Sequence, residues 1–356
     1  MPHSPINRRL ALAALASLLP GAVLAQSSAN SKLVDVTLVS STANPPSVSN
    51  IYYLAALDRT FQKHGLNVHL QQSSGSPSSL AAIVSGKAEF ASINLVTLAN
   101  AAAEGIKARI IATGNFDFPG IIYAQPGINS VKDLEGKKMG AAAIGSMDYT
   151  IPQAYLMHVG GVDFSKISWV ATRQTSVTLQ ALGAGQIDAA WINVSSAVSV
   201  PTIAPKIKVL VSAEDISKIA PNPGGTVVVT DKYASEHPDV VQNFVDAVIE
   251  GNRAMYQDEG FFDSVVEHWM PGIYTDDQKK FLYTAYRPSW GVNGGLVMRV
   301  MRSAVESWKT DINPDRAKNP YFSKAEDLVN TQFAAKTLGQ IGKFDGALDD
   351  ADWQTK

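Results

Sequence analysis

The feature that most narrows what this chain can fold into is an internal repeat. The stretch SLAAIVSGKAEFASIN (Ser79 to Asn94) lines up with TLQALGAGQIDAAWIN (Thr178 to Asn193), 99 positions further on. The copies share Leu80/Leu179, Ala82/Ala181, Gly86/Gly185, acidic Glu89/Asp188, Ala91/Ala190, Ile93/Ile192 and Asn94/Asn193. Each reads as a helix, a glycine that stops it, a short strand marked by an acidic residue, and a polar residue at the strand's carboxyl end. One such unit per lobe predicts two similar α/β lobes, and 356 residues suffice for both. Alanine-rich matches also arise by convergence, so the repeat needs support from the elements around it.

That support comes from β-rich runs alternating with helical ones, the pattern of α/β folds with mostly parallel sheets. Val34 to Ser40 is β-branched and alternating, a first strand. Asn50 to His64 carries Ile51, Leu54, Leu57 and Phe61 at helical spacing and ends at Gly65. Leu66 to Gln71 is the next strand, and Ser76-Pro77 opens a helix, serine as cap and proline in the first turn. Further on, Ser130 to Asp133 is a capping box, Lys137 to Ala143 a strand, and Gly145-Ser146 the start of a helix to His158. Ile167 to Ala171 and Lys208 to Ser212 are strands, with a proline-broken connection at Val200 to Pro205 between them. Phe116 to Ala124 reads as the outward crossing between lobes, and Pro221-Asn222-Pro223-Gly224-Gly225 as the return before a strand at Thr226 to Thr230. From Pro238 the chain is helical, with Val241, Phe244, Val245 and Val248 on one face, and the charged tail after Asp345 is expected to fray. The predicted domains are therefore 33–121 with 226–356 as lobe 1, and 122–225 as lobe 2.

Residues 1–25 read as an export signal: Arg8 and Arg9, an apolar run from Leu10 to Leu24, and a small-residue cleavage pattern ending at Ala25. That run is shorter than the roughly 20 residues that span a bilayer, and no later stretch is apolar enough, so the mature protein is expected to be soluble. Removing two arginines leaves it more acidic than the whole chain's −2, with no basic stripe for nucleic acid. The absence of cysteine excludes a disulfide scaffold, a thiolate metal site, a cysteine nucleophile and a lipid-anchored lipoprotein. An exported chain without an anchor fits the periplasm.

The order of pieces then resembles a known family. GSPSSLAAIVSGKAEFAS, VKDLEGKKMGAAAIGSMDYT, TLQALGAGQIDAAW and DKYASEHPDVVQNFVDAVIEG, between Val34 and Gly251, look like the ABC-transporter substrate-binding proteins of the nitrate/sulfonate/taurine-binding type and their thiamine-precursor-binding relatives. The resemblance implies a type II periplasmic-binding fold: two αβα lobes, two hinge crossings, and a small molecule gripped between them by hinge closure. It implies ABC permease subunits in the inner membrane as partners, a monomer, and no cofactor. The chain departs from the family after the IDA element, where Trp191-Ile192-Asn193 runs into Val194-Ser195-Ser196 instead of an aromatic and a proline.

In open α/β sheets ligands bind beyond the carboxyl ends of strands, where helix N-termini present unpaired N–H groups. Four corners of this kind stand out. The first contains Ser41, Thr42 and Asn44 through Ser49, and the second Ser74, Gly75 and Ser76. The third is Gly145-Ser146, and the fourth begins at Arg173. Together they favour an anionic head group, and Arg173 adds a guanidinium suited to a bidentate pair. Ser92, Asn94 and Asn193 end strands. Phe116, Phe118, Tyr149 and Trp191 are candidates for an apolar wall, and Asp148 for a partner to an ammonium group. Each has a plainer alternative in capping, core packing or solvation.

Signals of catalysis and of metal binding are poor. The six histidines are scattered without HExxH spacing, and neither a Gly-x-Ser-x-Gly elbow nor a P-loop is present. An enzyme related to thiamine-pyrimidine synthesis, which depends on a cysteine cluster, fits poorly. A soluble receptor for a signalling partner shares the same cleft. An alkanesulfonate or taurine-like ligand is the first expectation, ahead of an aromatic carboxylate or sulfonate and of a pyrimidine.

Overall fold

The computed structural model describes residues 32–40, 47–144, 146–159, 161–307 and 324–349; the export signal read from the first residues lies outside them. The first half of the chain runs β1 (Val34–Ser40), α1 (Ile51–Arg59), β2 (Leu66–Gln72), α2 (Ser76–Val84), β3 (Phe90–Ser92), α3 (Leu95–Ala103), β4 (Ala108–Asn115) and β5 (Gly120–Ala124). Next come β6 (Lys138–Ala141), α4 (Met147–Val159), β7 (Ser168–Ala171), α5 (Thr175–Gly183) and β8 (Ala189–Asn193). Short helices α6 (Val194–Ala197) and α7 (Val200–Ile203) lead to β9 (Lys208–Val211) and α8 (Ala213–Ile219). After β10 (Gly224–Thr230) the chain is helical: α9 (Asp231–Glu236), α10 (Pro238–Gln257), α11 (Glu259–Trp269), α12 (Asp276–Tyr286), α13 (Met298–Ser307) and α14 (Gln332–Ile341).

The described strands form two five-stranded sheets, β2-β1-β3-β10-β4 and β7-β6-β8-β5-β9. In the first, β1 pairs parallel with β2 and β3, and β10 runs antiparallel between β3 and β4. In the second, β6 pairs parallel with β7 and β8, and β5 runs antiparallel between β8 and β9. The two sheets are thus built to one plan. Each contains one antiparallel strand that arrives from the other, and each such strand slips register once, at Val227/Val228 and at Ile122/Tyr123. The first sheet packs into a core with α1, α10 and the C-terminal helices, and the second carries a separate core on each face. Two αβα lobes are the result, the fold class expected from the repeat and the alternation.

The repeat is reproduced bond by bond. Gly86 (φ 73°) and Gly185 (φ 70°) both turn left-handed after their helices. In each case the next residue closes the turn, Lys87 N–H on Ala82 O and Gln186 N–H on Ala181 O, both at 2.9 Å. The acidic residues act alike. Glu89 accepts from Thr37 N at 2.6 Å and Asp188 from Lys138 N at 2.8 Å, each tying its strand to its parallel neighbour. Asn94 and Asn193 each cap the helix that follows, accepting from Thr97 N at 2.8 Å and Ser196 N at 2.9 Å. The likeness reaches further back than the letters do. A hydroxyl pair links each strand end to its helix, Ser73–Ser79 in one lobe and Thr172–Thr178 in the other.

Several local readings are corrected. The first long helix stops at Arg59, because Thr60 turns its hydroxyl to Ala247 O (2.6 Å) and Phe61 enters the core against Phe244, 4.7 Å between ring centroids. Ser76 does not cap its own helix; Gly75 stands at that position, and Ser76 Oγ instead accepts from Asn94 N at 3.0 Å. Pro201 opens the helical turn α7 where a broken connection was expected, since proline fits a first turn. Nor is the tail after Asp345 frayed as far as Asp349. Its carboxylate is buried and accepts from Asn293 N at 2.6 Å and Gly295 N at 3.2 Å.

Burial pushes the Asp349 carboxyl up to about 7, despite those donors and the nearby Arg253. An unfolded aspartate titrates near 4, so between roughly pH 4 and 7 the folded protein holds a proton that the unfolded chain lacks. Stability therefore rises as pH falls from 8 toward 5, by at most about 1.4 kcal/mol per unit from this group. Urea unfolding at pH 5 and pH 8 checks this: Asp349→Asn is expected to flatten that dependence, and an unchanged slope would show that the group does not set it.

Candidate ligand-binding cleft

On the lobe 1 side, the carboxyl ends of β1 and β3 bring Ser40 and Ser92 opposite one another, both buried. Two consecutive tyrosines in the first turn of α1 hold them. Tyr53 OH and Ser40 Oγ are 2.8 Å apart, and Tyr52 OH donates to Ser92 Oγ at 3.0 Å. Burial raises the Tyr52 hydroxyl well above its ordinary value, so it stays a donor. The Tyr52 ring lies flat over Gly114 and Gly225, where an added Cβ would come within 2.2 and 2.6 Å of it. Gly75, at φ 150° and ψ 175°, adopts a backbone that only glycine enters readily, and it delivers Ser76 to the end of β3. Ser41, Thr42 and Asn44 lie outside the described residues.

The lobe 2 side is more aromatic. Trp191 on β8 is buried, its indole spread over Gly120 and 6.2 Å from the Phe118 ring. Its indole N–H has no hydrogen-bond partner among the described residues. Tyr149 meets Trp169 and Phe164 edge-on at 4.6 and 5.9 Å. Asp148 is buried and faces its own loop, accepting from Ala142 N at 2.6 Å and from Ser146 Oγ; Gly145 between them lies outside the described residues. Arg173 is exposed and left-handed (φ 72°), alone in that among the described non-glycine residues, and its N–H donates to Ala142 O at 2.8 Å. Such a backbone costs on the order of 1 kcal/mol, and here it falls two residues before the start of α5. Phe116 is buried in a cluster with Val297 and Val300.

The two carboxyl edges meet at a hydroxyl cluster of which the first sequence corner supplied Ser49 but neither partner. Ser49, just before α1, is 3.0 Å from Ser195 on α6, and Ser195 is 2.9 Å from the Tyr286 hydroxyl at the end of α12. Ser195 also donates to Asn193 Oδ1 at 3.0 Å. Val194 beside it is buried in the lobe 1 core. The departure from the family pattern at Val194-Ser195-Ser196 marked this place without disclosing its partners. The structure therefore brings together Ser92, Asn94 and Ser76 on one side, and Ser146 with Asp148 on the other. Asn193 stands at the junction.

At Gly120 an added Cβ would lie 2.0 Å from Trp191 Cζ2. Gly120→Ala is expected to destabilise the protein by about 1–3 kcal/mol and to shift its tryptophan emission, read by chemical denaturation followed by fluorescence.

Comparison with known proteins bears on the family and the fold. The family model described as NMT1/THI5 like covers residues 48–259, more than half of the chain. Proteins of Brucella abortus and Brucella suis that are named as binding proteins are each 26% identical over 202 residues, 57% of this chain and 61% of theirs, so the match spans less than two thirds of those relatives. A crystal structure of a periplasmic sulfonate-binding protein from Methylobacillus flagellatus superposes with a TM-score of 0.68 at 18% identity, covering 87% of this chain and 95% of the other. The periplasmic aliphatic sulphonate-binding protein of Escherichia coli gives 0.62 at 15%, covering 83% and 97%. At such identities the likeness is one of fold, the periplasmic-binding-protein fold. Its two lobes, its duplicated αβ units and the matched family model together place the chain in the NMT1/THI5-like family.

Proposed function

We propose that this protein is the periplasmic solute-binding component of an ABC importer. In this reading it captures a small organic anion, a sulfonate or a carboxylate, between its lobes by hinge closure and delivers it unchanged to the permease. The single observation that carries the reading is the meeting of two carboxyl sheet edges, joined through Ser49, Ser195 and Tyr286. Around that junction the donors are hydroxyls and amides. Asn94 and Asn193 spend their side-chain oxygens on capping, which leaves the NH2 of each amide to donate. The carboxylate of Asp148 is engaged by its own loop, which favours an anion over an ammonium ligand.

Arg173 supplies the formal positive charge, and hydroxyl and backbone donors share the rest. The lobe division of the proposal is 33–121 with 226–356 against 122–225, acting as a monomer after removal of the leader near Ala25. The sulfonate-binding names of the structural neighbours support this ligand class.

A thermal-shift screen of alkanesulfonates, taurine and aromatic carboxylates tests it. A true ligand raises Tm as its concentration passes Kd, and native mass spectrometry recovers it unmodified. Arg173→Ala is expected to weaken binding at least about tenfold, roughly 1.4 kcal/mol, with little change in unliganded Tm because the side chain is exposed. A chemically altered ligand would instead indicate an enzyme, and unchanged affinity would remove Arg173 from the site.

A further inference from the structure

The two crossings between the lobes are fastened to each other by one buried side chain. The outward crossing is Phe116-Asp117-Phe118-Pro119, between β4 and β5, and the return is Ala220-Pro221-Asn222-Pro223, between α8 and β10. Proline carries no N–H, so Asn222 is the one donor between Pro221 and Pro223. Asp117 takes it, with Oδ1 accepting from Asn222 N at 2.9 Å. The other carboxylate oxygen accepts from Ser217 Oγ on α8. In return, Phe118 N donates to Asn222 O at 2.7 Å. The Phe118 ring lies on Gly224, where a Cβ would sit 2.7 Å away. The outward crossing is thus bonded to the return crossing at two successive residues.

We infer that Asp117 is the positioning residue of the hinge: by clamping Asn222 and Ser217 it makes both crossings bend as one, and so restricts how far the lobes of the free protein separate. A buried carboxylate between two crossings has little other reason to be there, because an apolar residue would fill the space without the cost of desolvation. The cation that faces it is Arg299 on α13, and the remaining groups packed on it are the Ser217 hydroxyl and the N–H groups of Asn222 and Phe118. Burial outweighs all four and raises the Asp117 carboxyl above its ordinary range. Lowering the pH protonates it and removes one of its two acceptor oxygens, so the clamp loosens toward acid.

This inference rests on the two-lobed binding reading, but its test needs no ligand. The natural chain has no cysteine, so spin labels at Lys87→Cys and Lys206→Cys, exposed on opposite lobes, report the interlobe distance of the free protein. Pulsed electron resonance is expected to give a narrow distribution for the unsubstituted hinge while Asp117 is ionised, and a broader one as a downward pH series protonates it. Asp117→Asn is expected to be at least about twofold broader than the unsubstituted hinge at the alkaline end of the series, and insensitive to pH. Ser217→Ala removes one donor from a half-exposed residue, and should broaden the distribution less while leaving the fold intact. Widths in folded Asp117→Asn and Ser217→Ala that equal those of the unsubstituted protein across the pH series would overturn the proposal. Failure to find an organic-anion ligand would leave this result untouched.

Discussion

Two antiparallel strands set the terms for the rest of the molecule. β5 leaves the first sheet and pairs between β8 and β9 of the second, and β10 makes the opposite journey to lie between β3 and β4. Both occupy interior positions, so their backbone groups pair on two sides. Removing either would leave a row of buried N–H and C=O groups without partners. Each lobe is therefore completed by a strand that enters from the other, over crossings of only a few residues. Short crossings keep the carboxyl edges of the two sheets close, and it is there that Ser49 reaches Ser195.

On this frame the duplicated αβ unit puts equivalent groups at equivalent places. Asn94 and Asn193 both end a strand and cap a helix, Glu89 and Asp188 both bind a neighbouring strand's N–H, and Gly86 and Gly185 both turn left-handed. The two walls nevertheless differ in chemistry. Tyr52 and Tyr53 support buried serines in lobe 1, whereas lobe 2 offers the Trp191 indole, an aromatic group around Tyr149, and Arg173 on a left-handed backbone. The common plan positions a guest, and the differences between the walls give it two unlike ends to meet.

Much of the fold was legible because its signals are local. The Ser130–Asp133 capping box forms as read, with Asp133 accepting from Asn129 N and Ser130 N at 2.9 Å. The glycines of the repeat occupy the left-handed turns that their spacing implies. What escaped was long-range. Asp117 read as a residue of a crossing because Ser217 and Asn222 are about a hundred positions away. Tyr286 drew no notice in the sequence because its partner Ser195 lies 91 positions away. Phe116, an aromatic at a crossing, faces Val297 and Val300, and no spacing rule connects those segments.

The amino-acid sequence by itself determined the secondary elements, their alternation, and the presence of two similar lobes. Capping boxes, helix-stopping glycines and apolar periodicity act over a handful of residues, and a repeat is visible without knowing where its copies meet. The tertiary structure alone decided which polar groups are spent inside the fold and which stand at the cleft. Asp148 closing its own loop, Asp117 bridging two crossings and Asn94 turning an oxygen to Thr97 N are outcomes of burial and hydrogen-bond competition among distant segments. A side chain's chemistry states what it can bond; only its neighbours in space determine what it does bond.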